Sequence, residues 1–491
     1  MDKTNSTIKQ IIVATLLVLL PAWTVAQPAQ DTINKLKTIA LPLLEIETEG
    51  HVNPTFTPIY PPEGCMGLGI TGNDYVAGRL QMTLLDSTLY DSGDYEKDKS
   101  GLRIKVRGNT SAVYFRQTPY KLKLSKKADL LLRGDKEKKN KNWALLSTQL
   151  TDNLFFTIAG LEAARIVGMP WEPEAQFVNV VLNGHYIGLY NLVETIERAD
   201  SRIKTEDSGF VIENDAYWWN EGDAYFHTTY QRSNMGYTFK YPDYEDIDSQ
   251  RVAQIKNVME TAEDALWNGG EVDEYFDYTS FAKWILAHDI LGTMDAGGTN
   301  MYYVMEAIDT AGNALKPLQA GPLWDFSAIF GTSEWSAQHT IRIPYFWLLF
   351  KREKFTDEYI QRFNALKSTF VSDITNRFDS LNAACGEAIS QSIDIDNSDY
   401  SGVDRQISEI IAKFANRVNV VDSLIRRDYP ALGIESATAQ SGRQNAIERR
   451  VDMTGRDFTG IDTKSLPSGV YIEKRADGSV RKRIVANKGR F

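Results

Sequence analysis

Cysteine and histidine are both scarce in this sequence. The 491 residues include only two cysteines, Cys65 and Cys385, which excludes a disulfide framework. One bridge between them stays open as an alternative, and two unpaired thiols are the interpretation we favour. Stability must therefore come from a buried core. The five histidines lack the spacing of zinc ligands, so a zinc hydrolase is not supported. No Walker A sequence and no Gly-x-Ser-x-Gly elbow occurs, which argues against a P-loop nucleotidase and a serine esterase.

Positive charge is outnumbered by negative charge. Lys and Arg number 54 against 65 Asp and Glu, a net charge of -11. This balance disfavours a protein whose whole surface binds nucleic acid or an anionic membrane. Hydrophobic residues make up 43% of the chain and aromatic residues 11%, the composition of a globular protein with a large core. At about 150 residues per domain, the length fits two or three domains.

Residues 1–26 predict a cleavable signal peptide. Lys3 and Lys9 precede an apolar run at residues 11–20, and small residues precede Gln27, where we expect the cut. The run is about half of the roughly 20 residues that a membrane span needs, so we expect no transmembrane span in the mature chain. The sequence therefore predicts an exported protein that is extracellular or on the outer cell surface, otherwise periplasmic.

Changes in residue pattern divide the remaining chain into three parts. Residues 27–98 form a β-rich segment, and residues 99–435 combine strand-like with helical stretches. From 436 to 491, a stretch rich in Ser, Thr, Gln and Ala leads to a basic β-like segment, which we interpret as a linker and a small β module. The predicted fold class is α+β.

Two local signals in the central part are clear. Asn183-Gly184 separates two β-rich runs, which predicts a hairpin. Apolar residues between 154 and 166 fall near helical spacing, which predicts a helix that ends at Gly168.

A glycine-rich segment, Gly67-Leu-Gly-Ile-Thr-Gly72, matches the Gly-x-Gly-x-x-Gly pattern of phosphate-binding loops. The dinucleotide-binding version requires a helix at the third glycine, whereas residues 73–75 continue as strand. A kinase glycine loop lies between two strands and stays open as an alternative. A plain turn-rich loop is the interpretation we favour.

The richest group of polar motifs lies between residues 288 and 331. Asp295 and Asn300 have the spacing by which a kinase catalytic loop places a hydroxyl-activating Asp and a metal-binding Asn. Downstream, Asp325-Phe326 begins like a kinase metal loop. A carboxylate, an amide oxygen and phosphate oxygens suit Mg²⁺. The order of these motifs is more informative than any one of them.

A strand upstream carries two lysines. Residues 120–124 alternate so that Lys121 and Lys123 share one face. Such lysines usually point to solvent. Because the strand precedes a helix that carries Glu162, Lys121 would alternatively hold nucleotide phosphates and pair with Glu162.

Six motifs follow one another along the chain in a familiar order: Arg107–Ser111, Pro119–Leu124, Trp143–Leu146, Val178–Glu194, Asp295–Tyr303 and Gly321–Gly331. Together they resemble the spore coat protein H (CotH) kinase family over roughly residues 40 to 430. The resemblance implies an atypical, bilobal protein-kinase-like domain that binds ATP and Mg²⁺ and phosphorylates Ser or Thr of secreted or surface proteins.

Combined with the strand lysines, the resemblance implies a set of candidate site residues. They are Asp295 and Lys121 for catalysis, Arg107, Lys121, Lys123, Glu162 and Glu194 for nucleotide binding, and Asn300 and Asp325 as metal ligands. One departure concerns Ser327, where the family usually has a second Asp. The loss of this ligand leaves open a catalytically inactive surface scaffold or binding protein. A metal-dependent phosphoesterase is a third alternative.

The end of the chain resembles the C-terminal sorting domain of type IX secretion cargo. The resemblance rests on residues 449–456 and 466–472 and on a basic strand near the C-terminus. It implies export through the type IX secretion machinery. A small β accessory domain is the alternative. The partners we expect are this machinery and a secreted or surface protein substrate, with no nucleic acid.

Overall fold

The protein is described from a computed structural model, which covers residues 30–85, 87–149, 153–220, 224–232, 234–243, 245–294, 296, 299–336, 345–396, 400–430, 447–452, 469–475 and 480–485. The predicted signal peptide and the candidate acid Asp295 lie outside the described residues. Within the described ranges, no helix is both long enough and apolar enough to cross a bilayer.

The first half of the chain forms a sheet that closes on itself, together with a separate hairpin. In chain order, the strands are β1 (Leu43–Thr48), β2 (Thr57–Ile59), β3 (Gly69–Thr71), β4 (Val76–Leu84), β5 (Ser87–Asp91), β6 (Leu102–Val106), β7 (Tyr120–Ala128), β8 (Asn140–Ser147), β9 (Ala175–Leu182) and β10 (His185–Glu194). The large sheet has the order β1-β9-β10-β8-β7-β6-β4-β5, and β1 also pairs with β4, which closes it. Strands β2 and β3 pair with each other.

Alternate residues of these strands fill the interior of the closed sheet. Leu102 and Ile104 of β6, Leu122 and Leu124 of β7, and Trp143 of β8 are buried together there. The residues between them point outward, because successive side chains on a strand face opposite sides. On β6 and β7 these outward residues are Arg and Lys, so the same alternation that builds the core also builds a basic outer face.

The second half of the chain surrounds a second sheet with helices. Strands β11 (Phe210–Asp215), β12 (Tyr225–Phe226), β13 (Gly236–Tyr241), β14 (Met301–Met305) and β15 (Gln319–Ala320) lie in the order β12-β13-β11-β14-β15. The helices, three of which precede this sheet, are α1 (Gln30–Leu36), α2 (Thr110–Tyr114), α3 (Phe156–Val167), α4 (Ser249–Asn268), α5 (Tyr278–Leu291), α6 (Phe346–Leu349), α7 (Glu353–Leu366), α8 (Phe370–Asp396) and α9 (Val403–Asp428).

One apolar core joins the two halves. It includes Ile158 of α3 and Phe177 of β9 from the first half, and Phe281 of α5 and Phe326 from the second. Helix α5 is buried on nearly every side and packs against α3, α7 and α9. The outer face of the closed sheet therefore contributes to the same core as the helices.

The structure confirms both local predictions. Asn183 and Gly184 connect β9 to β10 with φ of 51° and 77°, the positive values that a two-residue hairpin turn requires. Helix α3 ends at Gly168, whose φ is 88° and whose N–H is bonded to the carbonyls of Ala164 and Arg165.

A third sheet ends the described chain. Strands β16 (Ile447–Asp452), β17 (Gly469–Arg475) and β18 (Val480–Val485) pair antiparallel in that order. Arg450 and Glu473 face each other across two of them, with 2.8 Å between Nε and Oε1, and both are buried. This sheet agrees with the predicted β module, whose boundary near residue 436 lies outside the described residues and stays a prediction.

The mixed α+β class expected from the sequence is confirmed. The closed form of the first sheet was not expected, because closure depends on the long-range pairing of β1 with both β4 and β9. The bilobal kinase-like arrangement stays a prediction.

Closure of the large sheet depends on Gly78. A Cβ at this position would lie 2.4 Å from the carbonyl oxygen of Glu47 on β1, and backbone cannot move aside as a flexible side chain can. We therefore expect Gly78→Ala to lower the free energy of unfolding by about 1–3 kcal/mol, measured by urea denaturation. Gly402→Ala is the matched control, since no atom lies within 4 Å of its Cβ position. Equal losses in the two variants would contradict this role of Gly78.

Candidate active site

Basic side chains cover the outer face of β6 and β7. We call this the basic face, and it consists of Arg103, Lys105, Arg107, Lys121 and Lys123. In register, Lys105 lies opposite Lys121 and Arg103 opposite Lys123. Directly opposed like charges destabilise an antiparallel pair. The ring of Tyr75, about 5 Å from the charged groups of Arg103 and Lys105, offsets part of that cost. Such a face is suited to binding phosphate oxygens.

Lys121 is the most perturbed lysine of the basic face. Burial, followed by the charge of Lys105, lowers the pKa of its ammonium group to about 8, while Glu197 acts in the opposite direction. Glu197 is itself bound by Arg202 and accepts a 2.7 Å hydrogen bond from Asn142 Nδ2. The carboxylate that influences Lys121 therefore comes from the segment after β10.

The expected pair between Lys121 and Glu162 is wrong. Glu162 forms an ion pair with Arg165, and its Oε2 lies 3.6 Å from Nε of Arg377 on α8. Positions 158, 161, 162 and 165 share one face of α3, because i, i+3, i+4 and i+7 lie on one side of a helix. That face meets α8. The sequence shows that the helix carries a glutamate, but it does not show which neighbouring element the glutamate side of the helix contacts.

Glu194 also has a different role from the one expected. Its side chain is fully buried, its Oε1 lies 3.0 Å from Arg133 Nη1, and its Oε2 accepts the Glu174 N–H at 3.0 Å. In register, Glu194 aligns with Trp143 and Leu122, which face the sheet interior. Lys121 faces outward. Glu194 therefore anchors a loop and cannot share a phosphate with Lys121.

Two carboxylates of β11 lie beside the segment of Thr299 and Asn300, and the sequence analysis missed both. Glu213 binds Lys240 at 3.0 Å through Oε2, and its Oε1 accepts the Asn300 N–H at 3.0 Å. Asp215 accepts hydrogen bonds from the Tyr217 N–H at 2.8 Å and the Thr299 hydroxyl at 3.4 Å. The polar end of the strand, Glu213-Asn-Asp215, was the available signal.

Asn300 and Asp325 share an unusual backbone conformation. Their φ angles are 58° and 62°, in the left-handed region that non-glycine residues rarely occupy. Such values occur at sites where a side chain must be held in one direction. Asp325 is exposed, and its Oδ1 accepts both the N–H of Ser327, at 3.1 Å, and its hydroxyl, at 2.7 Å. Among the described residues, none bonds to its Oδ2, which could therefore hold a ligand.

The turn at Asp325 is fixed from both sides. Before it, the Leu323 N–H donates to the buried carboxylate of Glu172 at 3.1 and 3.2 Å, and burial raises the pKa of Glu172 well above its usual value. After it, Phe326 packs directly on Gly160 of α3, where a Cβ would lie 1.9 Å from the ring. Asp325 can therefore change direction only if these contacts change.

Tyr217 connects the acidic residues to the first half of the chain. Its hydroxyl lies 2.5 Å from that of Thr110. Burial raises the pKa of Tyr217, and the charges of Asp215 and Asp325 raise it further. Arg107, whose guanidinium lies 5.4 Å from the Trp324 ring, reaches the same region. The Arg107 end of the basic face therefore lies beside the turn at Asp325, and we call the region between them the cleft.

The loop of Gly67 to Gly72 packs at the edge of this cleft. A Cβ at Gly67 would lie 2.4 Å from the Tyr217 ring, so only glycine fits there. Trp219 Nε1 donates to the Met66 carbonyl at 3.1 Å, and Asn220 Nδ2 to the Ile70 carbonyl at 2.9 Å. The segment contains β3 (Gly69–Thr71) and is followed by β4, with no helix between them, so the helix-dipole type of phosphate loop is absent from this described segment.

Asp325 and Asn300 carry oxygen atoms of the kind that Mg²⁺ binds. This ion takes oxygen ligands, usually one or two carboxylates completed by phosphate oxygens and water. Asp325 Oδ2 and the half-buried Asn300 amide match that requirement. In the described part of the chain, no group of three or more His, Cys, Asp and Glu is arranged to hold a metal ion by itself. The residues fit a metal that also binds phosphates.

Comparison with known proteins identifies one family. The family model described as CotH kinase protein matches residues 104–426, about two thirds of the chain, from β6 to the end of α9. No curated protein matches the sequence.

The contact between Gly160 and Phe326 can be tested by stability. Gly→Ala in a helix interior normally stabilises by about 1 kcal/mol, but here the methyl group would overlap the ring. We expect Gly160→Ala to lower the free energy of unfolding by about 1–3 kcal/mol. Phe326→Leu, which shortens the opposing side chain, should recover part of the loss in the double variant. Strictly additive effects of the two changes would contradict direct contact.

Proposed function

Because this chain belongs to the CotH kinase family, we propose that it is an exported atypical kinase, which transfers the γ-phosphoryl group of ATP to Ser or Thr of secreted or surface proteins. The observation that carries this proposal is the approach of the basic face, at Arg107, to the turn at Asp325. Cationic side chains and oxygen ligands suited to Mg²⁺ would then lie on opposite sides of the cleft, the combination that phosphoryl transfer requires.

We assign separate roles to the two sides of the cleft. Lys121, with Lys105 and Arg107, would bind phosphate oxygens, in the manner of the first lobe of a protein kinase. Asn300 and Asp325 would hold Mg²⁺, which when bound neutralises charge on the phosphates. Asp295, by resemblance to the family, would accept the proton of the incoming hydroxyl. Catalysis would then depend mainly on positioning and charge complementarity.

Two buried carboxylates, Glu213 and Glu172, support these roles by holding the backbone at the two proposed metal ligands. Glu213 holds the backbone of Asn300, and Glu172 holds the segment before Asp325. Neither residue would contact the nucleotide or the metal ion, so both are positioning residues. Their bonds maintain two left-handed residues that would otherwise relax, because each such conformation costs roughly 1–3 kcal/mol.

Ser327 favours a second candidate, an inactive scaffold of the same fold. Its hydroxyl donates to Asp325 Oδ1 at 2.7 Å, so it engages a metal-binding carboxylate from a position where the family usually supplies another ligand. A scaffold would keep the cleft and lack transfer.

Export and the partners are supported by sequence features alone. The short apolar run with its basic start and small-residue cut supports a signal peptide, and the C-terminal motifs support delivery by the type IX secretion machinery. The protein substrate would then be met outside the cytoplasm.

Replacing Asp325 tests the kinase proposal. Asp325→Asn removes one charge from the metal site with little change in volume, and the residue is exposed, so the melting temperature should not change. Mg²⁺-dependent labelling of a mixture of secreted proteins by ATP should fall by about 10² or more. Asp94→Asn, a change of the same kind at a side chain that is 90% exposed, is the control and should leave labelling unchanged.

Ser327→Asp separates the kinase from the scaffold. Wild-type protein that binds ATP with Mg²⁺ but labels no acceptor, together with labelling gained in Ser327→Asp, would show that the scaffold evolved by loss of this ligand. If neither protein binds ATP, the kinase proposal is overturned.

Lys121 makes the affinity for Mg²⁺-ATP depend on pH. Only the protonated ammonium attracts phosphate, and its pKa is about 8, so affinity should be highest below pH 8 and fall as the pH rises, by up to about tenfold per unit. Lys121→Arg keeps its charge and should remove this fall, whereas Lys123→Arg should retain it. Calorimetric titrations between pH 6.5 and 9.5 measure the difference. Identical profiles for wild type and Lys121→Arg would exclude Lys121 as the titrating contact.

A further inference from the structure

A partly open cavity lies behind α3, away from the cleft. Its volume is about 430 Å³, and it is lined by the segment before β1 and by residues of β9, α3 and α8. Its lining is mainly apolar and includes Leu41, Ile158, Leu161, Phe177, Phe378 and Leu381. A cavity of this size lies in the range of small-molecule sites, which are mostly apolar with a few placed polar groups.

Helix α3 separates this cavity from the cleft. Ile158, Leu161, Glu162 and Arg165 face the cavity at the spacing of one helix face. Gly160 lies on another side, where it contacts Phe326. The cavity therefore belongs to neither the basic face nor the turn at Asp325, and any ligand in it is additional to the nucleotide.

Three charged side chains form one wall of the cavity. Arg165 pairs with Glu162 and donates from Nη2 to the Pro173 carbonyl at 3.1 Å. Arg377 lies 3.6 Å from Glu162 Oε2, too far for a hydrogen bond, and its side chain is 61% exposed. Two guanidinium groups and one carboxylate give this wall a local charge of about +1. These charged groups could bind the polar head group of a ligand whose apolar part fills the rest of the cavity.

The Glu162 carboxylate sets a second chemical requirement for a ligand of this cavity. Its Oε2 is buried and accepts no hydrogen bond from any described residue. A buried acceptor without a donor is unfavourable, by roughly the cost of desolvating it. A ligand that supplies an N–H or O–H next to its anionic group would satisfy this oxygen.

We propose that this cavity binds an acyl amphiphile whose head combines a carboxylate with an adjacent amide N–H, as in an N-acyl amino acid. The acyl chain fills the apolar part between Leu161 and Phe378. The carboxylate pairs with Arg377, because a planar guanidinium binds carboxylates in a fork geometry. The amide N–H donates to Glu162 Oε2. This assignment does not depend on the proposed kinase activity.

N-decanoylglycine, used below the concentration at which it forms micelles, is the probe. We expect saturable binding of one molecule per chain by isothermal titration calorimetry with the full-length protein. Its methyl ester keeps the chain and the amide but lacks the charge, so it should bind at least about tenfold more weakly.

Two variants locate the site. Arg377→Gln should weaken binding of N-decanoylglycine at least about tenfold and leave the ester unaffected. Arg405→Gln removes a charge from α9 that is also mostly exposed, 74% against 61% for Arg377, and should have no effect. Leu381→Trp places a ring in the cavity and should abolish binding of both compounds.

Several results would overturn the proposal. One is equal affinity for N-decanoylglycine and its methyl ester, which would show that the protein does not recognise the carboxylate. Another is binding that survives Leu381→Trp, which moves the ligand elsewhere. Absence of saturable binding to the wild type would show that the cavity does not take this class of ligand. None of these results bears on ATP binding, so the two proposals fail separately.

Discussion

The packing of Phe326 on Gly160 is the contact on which the candidate site depends most directly. Helix α3 is held against β9 of the closed sheet by residues such as Ile158 and Phe177, and Phe326 belongs to the second half of the chain. Gly160 lets the ring approach the helix backbone without an intervening Cβ. The direction of Asp325, one residue earlier, is therefore set by how the two halves meet. The Glu172 carboxylate reinforces this by binding the same segment at Leu323.

Much of the site was predictable from local pattern. The alternation of apolar and basic residues in β7 correctly assigns Lys121 and Lys123 to one face, because side-chain direction in a strand follows from sequence position alone. The Asn183-Gly184 hairpin and the end of α3 at Gly168 are likewise determined by short-range backbone preferences. In each case the governing interaction lies within a few residues.

What could not be predicted depends on long-range packing. Glu162 and Glu194 were both predicted to bind the nucleotide, yet one faces α8 and the other faces the interior of a closed sheet. Helical spacing shows which residues share a face but not which neighbour that face meets. Glu213 and Asp215 join the site only because β11 pairs with β14, some 90 residues later, which brings their carboxylates beside Asn300.

Two half-buried basic groups, Arg133 in the connection between β7 and β8 and Lys121 on β7, show how the charge of a basic side chain can be favoured or opposed by its surroundings. Burial lowers the pKa of Arg133, but Glu194 and Asp129 outweigh it, and the pKa lies above the ordinary value for arginine. At Lys121, burial and Lys105 outweigh Glu197, and the pKa falls to about 8. Carboxylates of the protein neutralise Arg133, so the charged form of this side chain stabilises the folded state. The surroundings of Lys121 disfavour its charged form, so its charge does not stabilise the folded state in the same way. A bound anion would reverse this balance, because it would favour the charged form of Lys121, and the phosphate groups of the proposed nucleotide would be such an anion.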